Sequence, residues 1–256
     1  MGQVPARILI IGDGRLATTL WDVLHAPDFP LARSTESSRW TRDSETSLND
    51  VLAKFDASHV WLAISDRALR EFTHEHHPVL KDRTVVHFAG SLAGWPGVHA
   101  AHPLTTLNGS GAHTYSWFTK IPFVLDLDGP ELATLLPGFE NATYRLDPSQ
   151  RAYYHALCAT AGNFSVMLWE SVATRFERDL ALPSEILSVF RRQIFQNLDE
   201  SDGASVLTGP LLRNDLETMK SHRTAFLSLF EIPLLKIYDA FTDLFRTERA
   251  RRENHT

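Results

Sequence analysis

Arg7-Ile-Leu-Ile-Ile-Gly-Asp-Gly-Arg-Leu-Ala17 decides how the N-terminal half of this 256-residue chain folds. Ile8 to Ile11 are a short apolar run, as a strand buried on both faces requires. The run stops at Gly12-x-Gly14-x-x-Ala17, and apolar residues then recur at helical spacing at Leu16, Leu20, Val23 and Leu24. A strand, a glycine turn and a helix in immediate succession are the context in which a glycine pattern points to dinucleotide binding. Gly12 suits the tight turn, Gly14 lets backbone approach a pyrophosphate, and Ala17 is small enough for helix to pack on strand. The free N–H groups and positive dipole end of the helix start attract an anion. Gly12, Asp13, Gly14, Arg15 and Leu16 are therefore the expected cofactor turn; Arg15 either adds charge near the pyrophosphate or lies exposed on the helix.

Outward from this turn, strand and helix patterns alternate. A segment around 31–41 supplies a second strand and 47–55 a short helix. His59-Val-Trp-Leu-Ala-Ile64 is a third strand, ending at Ser65-Asp66, which can cap the next helix. Further strands are expected over 84–89, 98–104 and 121–127. Such alternation predicts an α/β domain with a Rossmann-like, doubly wound, mostly parallel sheet. Near Asp147-Pro148-Ser149 the strand signals stop and helical stretches take over. The domains are thus expected over 1–148, for the dinucleotide-binding part, and 149–256, all-α. Residues 151–176 are apolar on nearly every side, which predicts a buried helix. A second helix is expected over 184–198, a loop over 199–209, a capping box at Asn214-x-x-Glu217 and a last helix over 233–246.

Bulk properties exclude several classes. Apolar residues make up 43% and charged residues 22%, as in ordinary globular proteins. The net charge of −6 argues against nucleic acid as a partner, since phosphate binding needs a basic face. Cys158 is the single cysteine, so no internal disulfide forms, and its apolar helical setting reads as core. With no apolar run of membrane-spanning length and no leader pattern, the expectation is a cytoplasmic protein that does not enter membranes. His74-Glu-His-His77 has the residue type of a metal site but no further ligand cluster, and no metal is expected.

The end of the second strand chooses between the two nicotinamide cofactors. Ser37-Ser-Arg-Trp-Thr-Arg-Asp43 offers Arg39, Thr41 and Arg42, cations and a hydroxyl suited to a ribose 2′-phosphate. Asp43 would instead favour a free 2′-hydroxyl. The balance predicts NADP(H). Ile64, Ser65 and Asp66, closing the third strand, and Gly90 and Ser91, beyond the fourth, complete the expected cofactor contacts.

These features resemble bacterial proteins that join a Rossmann-like domain to a C-terminal helical domain of unknown function and are regarded as NADP-dependent oxidoreductases. The resemblance covers nearly the whole chain. Its markers are Gly12-Asp-Gly-Arg-Leu-Ala17, Ile64-Ser-Asp66, His87-Phe-Ala-Gly-Ser-Leu92, His102-Pro-Leu104, Tyr154-His155 through Asn163, and Thr208-Gly-Pro-Leu-Leu-Arg-Asn-Asp215 with Thr218 and His222. One departure is Ala89, where a serine is expected; Ser91 is the nearest replacement. The family is similar in architecture to pyrroline-5-carboxylate reductases, β-hydroxyacid dehydrogenases and ketopantoate reductases, which implies a homodimer built through the helical domain.

Hydride chemistry belongs to the cofactor; the protein holds a small-molecule substrate and handles one proton. His87 and His102 fall at strand ends, where doubly wound sheets place their ligands, and are candidate proton carriers. The related dehydrogenases place a Lys and an Asn on the first helix of the second domain. Here no Lys occurs between Lys120 and Lys220, so His155, eight residues before Asn163, takes the proton-transfer position with Asn163 as its orienting partner. Arg213 could clamp a substrate carboxylate, with Asp215, Thr218 and His222 at helical spacing. Each of these groups has an alternative reading as a structural hydrogen bond, an ion pair or a cap. The expected function is an NADP(H)-dependent oxidoreductase acting between a small carbonyl or imine compound and its hydroxy or amino counterpart. The alternative is an NADP-binding sensor or scaffold without turnover.

Overall fold

A computed structural model describes residues 6–108, 113–201 and 206–253. The chain divides into two compact units, Met1–Glu170 and Ser171–Thr256.

The first unit opens with β1 (Ala6–Ile11) and α1 (Arg15–Leu24), followed by β2 (Thr35–Trp40), α2 (Leu48–Phe55), β3 (His59–Leu62), α3 (Asp66–Glu75), α4 (His77–Leu80) and β4 (Thr84–His87). Next come β5 (Val98–Pro103), α5 (Tyr115–Phe118), β6 (Phe123–Asp126), α6 (Leu132–Leu135) and β7 (Thr143–Leu146). One seven-stranded sheet runs β2-β1-β3-β4-β5-β6-β7. From β2 to β5 each adjacent pair, β2–β1, β1–β3, β3–β4 and β4–β5, is parallel. β6 pairs antiparallel with β5, and β7 pairs parallel with β6. Chain order reverses at β1, whose neighbours are β2 and β3, and this puts the switch point of the sheet at the end of the glycine-bearing strand. The fold is the expected Rossmann-like α/β sheet.

Alternation along β1 explains its burial. Ile8 and Ile10 pack with Leu20, Val23, Trp61, Phe118 and Phe139 on one face, whereas Leu9 and Ile11 pack with Leu52, Val60 and Leu69 on the other. Successive side chains point to opposite faces, and both faces are covered, so all four must be apolar. The Trp61 indole N–H donates to the Leu135 carbonyl at 3.1 Å, which satisfies the one polar atom of that buried ring.

β4 and β5 are joined by residues 88–97 without a helix, unlike the earlier crossovers. After β7, Asp147 caps a short 3-10 turn (Pro148–Gln150) that leads into α7 (Arg151–Ala159). A π-helical turn follows over Thr160–Phe164, and the same helix continues as α8 (Ser165–Leu180). The helix expected over 151–176 is thus present but interrupted, and it is not buried. Tyr153, Leu157, Phe164, Val166 and Met167 are all more than half exposed. An all-round apolar surface marks a helix that must be covered, and the chain's own first unit does not cover it.

The second unit contains α9 (Ile186–Glu200), α10 (Pro210–Arg213), α11 (Leu216–Ser228) and α12 (Ile232–Glu253). Of the loop expected over 199–209, residues 202–205 lie outside the described residues. Glu231 is the polar centre of this unit, accepting from Arg175 Nε at 2.8 Å and pairing with Arg178. Those two guanidinium groups hold its carboxyl below the usual range.

Candidate active site

Gly12 sits in the left-handed region, at φ +128°, and a Cβ there would lie 2.3 Å from the Ala63 carbonyl oxygen at the end of β3. That contact is backbone on backbone, so only glycine fits. Gly14 is different. Its φ of −69° is open to any residue, and a Cβ would meet nothing within 4 Å. The space beside Gly14 is therefore free for a ligand. Gly14 is also the N-cap of α1 and offers no capping side chain, and the first turn holds no acidic residue. Unsatisfied N–H groups at an uncapped N-terminus with no competing carboxylate fit a pyrophosphate.

Arg39, at the end of β2, donates from Nε to the Gly12 carbonyl at 2.8 Å and from Nη2 to Thr18 Oγ1 at 3.3 Å. Its guanidinium thus braces the glycine turn. Thr41, Arg42, Asp43 and Ser44 form a tight turn just beyond, closed by Ser44 N–H on the Thr41 carbonyl at 3.0 Å. Arg42 is exposed on it. Arg15 reaches across to the Leu107 carbonyl at 3.2 Å, bringing the segment after β5 toward the glycine turn. Ser65 occupies the N-cap position of α3, but its side chain makes no cap hydrogen bond. Asp66, next to it, accepts instead from Ser91 Oγ at 3.3 Å. The Ser91 hydroxyl is thereby directed to α3. Ala89 turns its N–H to His87 Nδ1 at 3.2 Å.

His87 is fully buried. Besides accepting from Ala89, its ring bonds the Ala93 carbonyl through Nε2 at 3.3 Å and stacks on Trp95, with centroids 4.9 Å apart. Burial pushes its pKa down to about 4. Both nitrogens are engaged, so the geometry gives His87 the work of holding the β4–β5 connection, and no nitrogen is left to exchange a proton with a ligand.

His102, His155 and Gly90 meet at one point. A Cβ on Gly90 would lie 2.5 Å from His155 Cδ2 and 2.9 Å from His102 Nε2. The two imidazoles are edge to face with centroids 5.8 Å apart. His102 Nδ1 shares a 2.8 Å hydrogen bond with the Tyr154 hydroxyl. Burial first, then the charge of His155 and of Arg151, lowers His102 to about 4. Burial and the neighbouring Cys158 thiol raise the Tyr154 hydroxyl. His102 and His155 line a cavity of about 340 Å³ with Thr105, Cys158 and Asn163. Cys158 is therefore partly accessible within a cleft rather than buried in core.

Asn163 lies in the π turn. A π turn is wider than an α turn and is frequent at functional sites, because it re-aims side chains without breaking the helix. Here it leaves Asn163 on the same cavity as His155.

Arg151, which the sequence reading passed over, anchors this arrangement. Its side chain is 1% exposed, pairs through Nε with Asp126 Oδ1 at 2.8 Å and donates from Nη2 to the Val124 carbonyl. Asp126 also accepts from the Gly94 N–H at 2.7 Å. The start of α7 is thus pinned to β6, and this fixes where Tyr154 and His155 stand.

The residues expected to meet the substrate from the second unit make local contacts there. Asn214 is in the left-handed conformation that ends α10, and Asp215 is the N-cap of α11. The cap expected at Asn214 thus falls one residue later. Asp215 accepts from the Thr218 N–H at 3.0 Å and from its hydroxyl at 2.7 Å, so these two side chains satisfy each other. His222 shares a 3.1 Å hydrogen bond with the Tyr238 hydroxyl. Arg213 is exposed. Among the described residues, no three His, Cys, Asp or Glu side chains cluster as a metal site would require, and no helix is long and apolar enough to cross a membrane.

Comparison with known proteins places this geometry in a wider fold group. Residues 128–244 match the family described as domain of unknown function (DUF2520). No curated protein matches the chain. A Bacteroides fragilis protein named as a putative NADP oxidoreductase superposes with a TM-score of 0.68 at 19% identity, covering 93% of this chain and 96% of that one. A Thermotoga maritima protein gives 0.66 at 19% identity, covering 96% and 99%. Pyrroline carboxylate reductase of Plasmodium falciparum, a structure with NADP bound, gives 0.57 at 10% identity, covering 94% and 97%. The chain shares with these three proteins a Rossmann-like fold continued by a C-terminal helical region.

Proposed function

We propose that this protein is an NADP(H)-dependent oxidoreductase acting on a small carbonyl or imine compound, or on its hydroxy or amino counterpart. The observation that carries the reading is that His102 and His155, which meet beside Gly90, line a cavity together with Asn163. A sensor or scaffold needs only the glycine turn. Polar groups converging on a second cavity support turnover.

The uncapped start of α1, with the open face of Gly14, would hold the pyrophosphate, and Thr41 and Arg42 the 2′-phosphate. Arg39 keeps the turn in shape. When bound, the nicotinamide supplies or accepts the hydride. His155 handles the proton. Burial keeps His102 neutral. Neutral His102, held by Tyr154, orients the reacting oxygen or nitrogen, and Asn163 adds a second hydrogen bond. Arg213 remains the proposed clamp for a substrate carboxylate, whereas Asp215 and Thr218 serve as a helix cap.

The exposed apolar side chains of 153–167 support a homodimer built through the helical region, because a monomer rarely leaves so many large apolar groups in water. The protein is proposed to work in the cytoplasm. The first test is calorimetric titration with NADPH and NADH. Binding of NADPH, with turnover of a substrate lost in His155→Ala and Asn163→Ala proteins that still bind it, is the expected result. No binding of either nucleotide overturns the reading. Sedimentation velocity should give the mass of two chains.

A further inference from the structure

One cavity in the first unit is separate from the site just described. It encloses about 510 Å³ between α3, α4 and the β4–β5 connection. Its floor is apolar, made of Leu80, Pro96 and Val98, and its remaining walls carry Arg70, His74, His77 and Lys81. Among the described residues no carboxylate lines it. In a chain of net charge −6 this is an unusual enclosure. Among the described residues none of the four basic side chains is ion-paired. The Arg70 guanidinium instead lies over the Trp95 ring, 4.2 Å from its centroid. His87 covers Trp95 by stacking. Both contacts occupy the indole, so Trp95 is not a platform for an aromatic ligand.

We propose that this cleft binds a small organic phosphate, a dianionic headgroup on an apolar body. Arg70 and Lys81 carry two permanent positive charges that match the two negative charges, and guanidinium is suited to phosphate. The two histidines add N–H donors at the rim. The apolar floor takes the body of the ligand. The histidines that resemble a metal motif in sequence thus serve an anion. Occupancy would be felt at the active site through the Arg70–Trp95–His87 stack, because His87 receives the Ala89 N–H immediately before Gly90.

The probe is phenyl phosphate, titrated calorimetrically into the full-length protein, with inorganic phosphate and benzoate as comparisons. Saturable one-to-one binding is expected, about tenfold tighter than either comparison. Arg70→Gln and Lys81→Gln should each weaken it about tenfold or more, while Arg42→Ala leaves it unchanged. Tryptophan emission should change on titration, and the change should vanish in Trp95→Phe protein. No saturation, equal affinity for inorganic phosphate or benzoate, or an emission change that survives Trp95→Phe would overturn the assignment. So would loss of binding in Arg42→Ala but not Arg70→Gln, which would put the phosphate at the glycine turn. Because the probe needs neither nucleotide nor turnover, these results stand apart from whether the protein binds NADPH.

Discussion

The imidazole of His155, on α7, meets that of His102, on β5, edge to face across 5.8 Å, and both lie against Gly90, which has no Cβ. Three residues far apart in sequence thus share one contact. Gly90→Ala should displace both rings. Overpacking of this kind costs about 1–3 kcal/mol. In His155→Ala protein the nearest obstacle is gone, and the same substitution should cost distinctly less. A double-mutant cycle by urea unfolding measures the difference, and additive costs would show that the rings do not crowd Gly90.

The two glycines of the first turn should respond in opposite ways. Gly12→Ala forces a left-handed backbone on alanine and drives a Cβ against the Ala63 carbonyl, at about 2–5 kcal/mol together. Gly14→Ala meets nothing in the protein, so the melting temperature should hold while NADPH affinity falls. Melting curves and nucleotide titration on the two variants separate fold from binding.

Arg39 and Arg42 should also divide. Arg42→Ala removes the charge proposed for the 2′-phosphate, so NADPH affinity should fall about tenfold and NADH affinity stay the same. Arg39→Ala also releases the Gly12 carbonyl and should weaken both nucleotides. Equal losses for NADPH and NADH in Arg42→Ala would contradict the 2′-phosphate role.

Acid should weaken the fold through its buried histidines. His87 and His102 are lowered from 6.5 to about 4 in the folded chain. Between those limits the unfolded chain binds protons that the folded chain refuses. Their stabilising effect is therefore complete above pH 6.5 and is lost as pH falls toward 4, by about 3 kcal/mol for each ring at most. Urea midpoints at pH 7.5, 5.5 and 4.5 should fall in that order. The dependence should be shallower in His87→Leu protein, though that protein starts less stable. An unchanged slope would mean that His87 is protonated in the fold.

What was legible in the sequence follows from the range of the forces involved. The β1 turn was readable because Ile8–Ile11, Gly12, Gly14 and the helix behind them are local. Gly90, His102, His155 and Asn163 were each singled out for their chemistry, but nothing in the sequence said that three of them touch. Tyr154 bonds His102 across 52 positions, and Arg151 pairs with Asp126 across 25, without any periodic signal. β7 was missed because Thr143-Tyr-Arg-Leu146 is an edge strand with its first two residues exposed, so it shows no apolar alternation. The helix over 151–176 was taken for core because its residues are apolar all round; its exposure shows that composition reports the need for cover and is silent about which molecule provides it.

The π turn at Thr160–Phe164 carries a consequence for how such a site is gained and lost. A π turn holds one residue more than the α-helical count, so it behaves as an inserted residue that the helix has absorbed. Removing one residue between 160 and 164 would restore α-helix throughout and keep every element of the fold. The wider turn that sets Asn163 beside His155 on the cavity would be lost with it. A single-codon deletion could therefore empty the site in one step without unfolding the chain, and a single insertion could restore it.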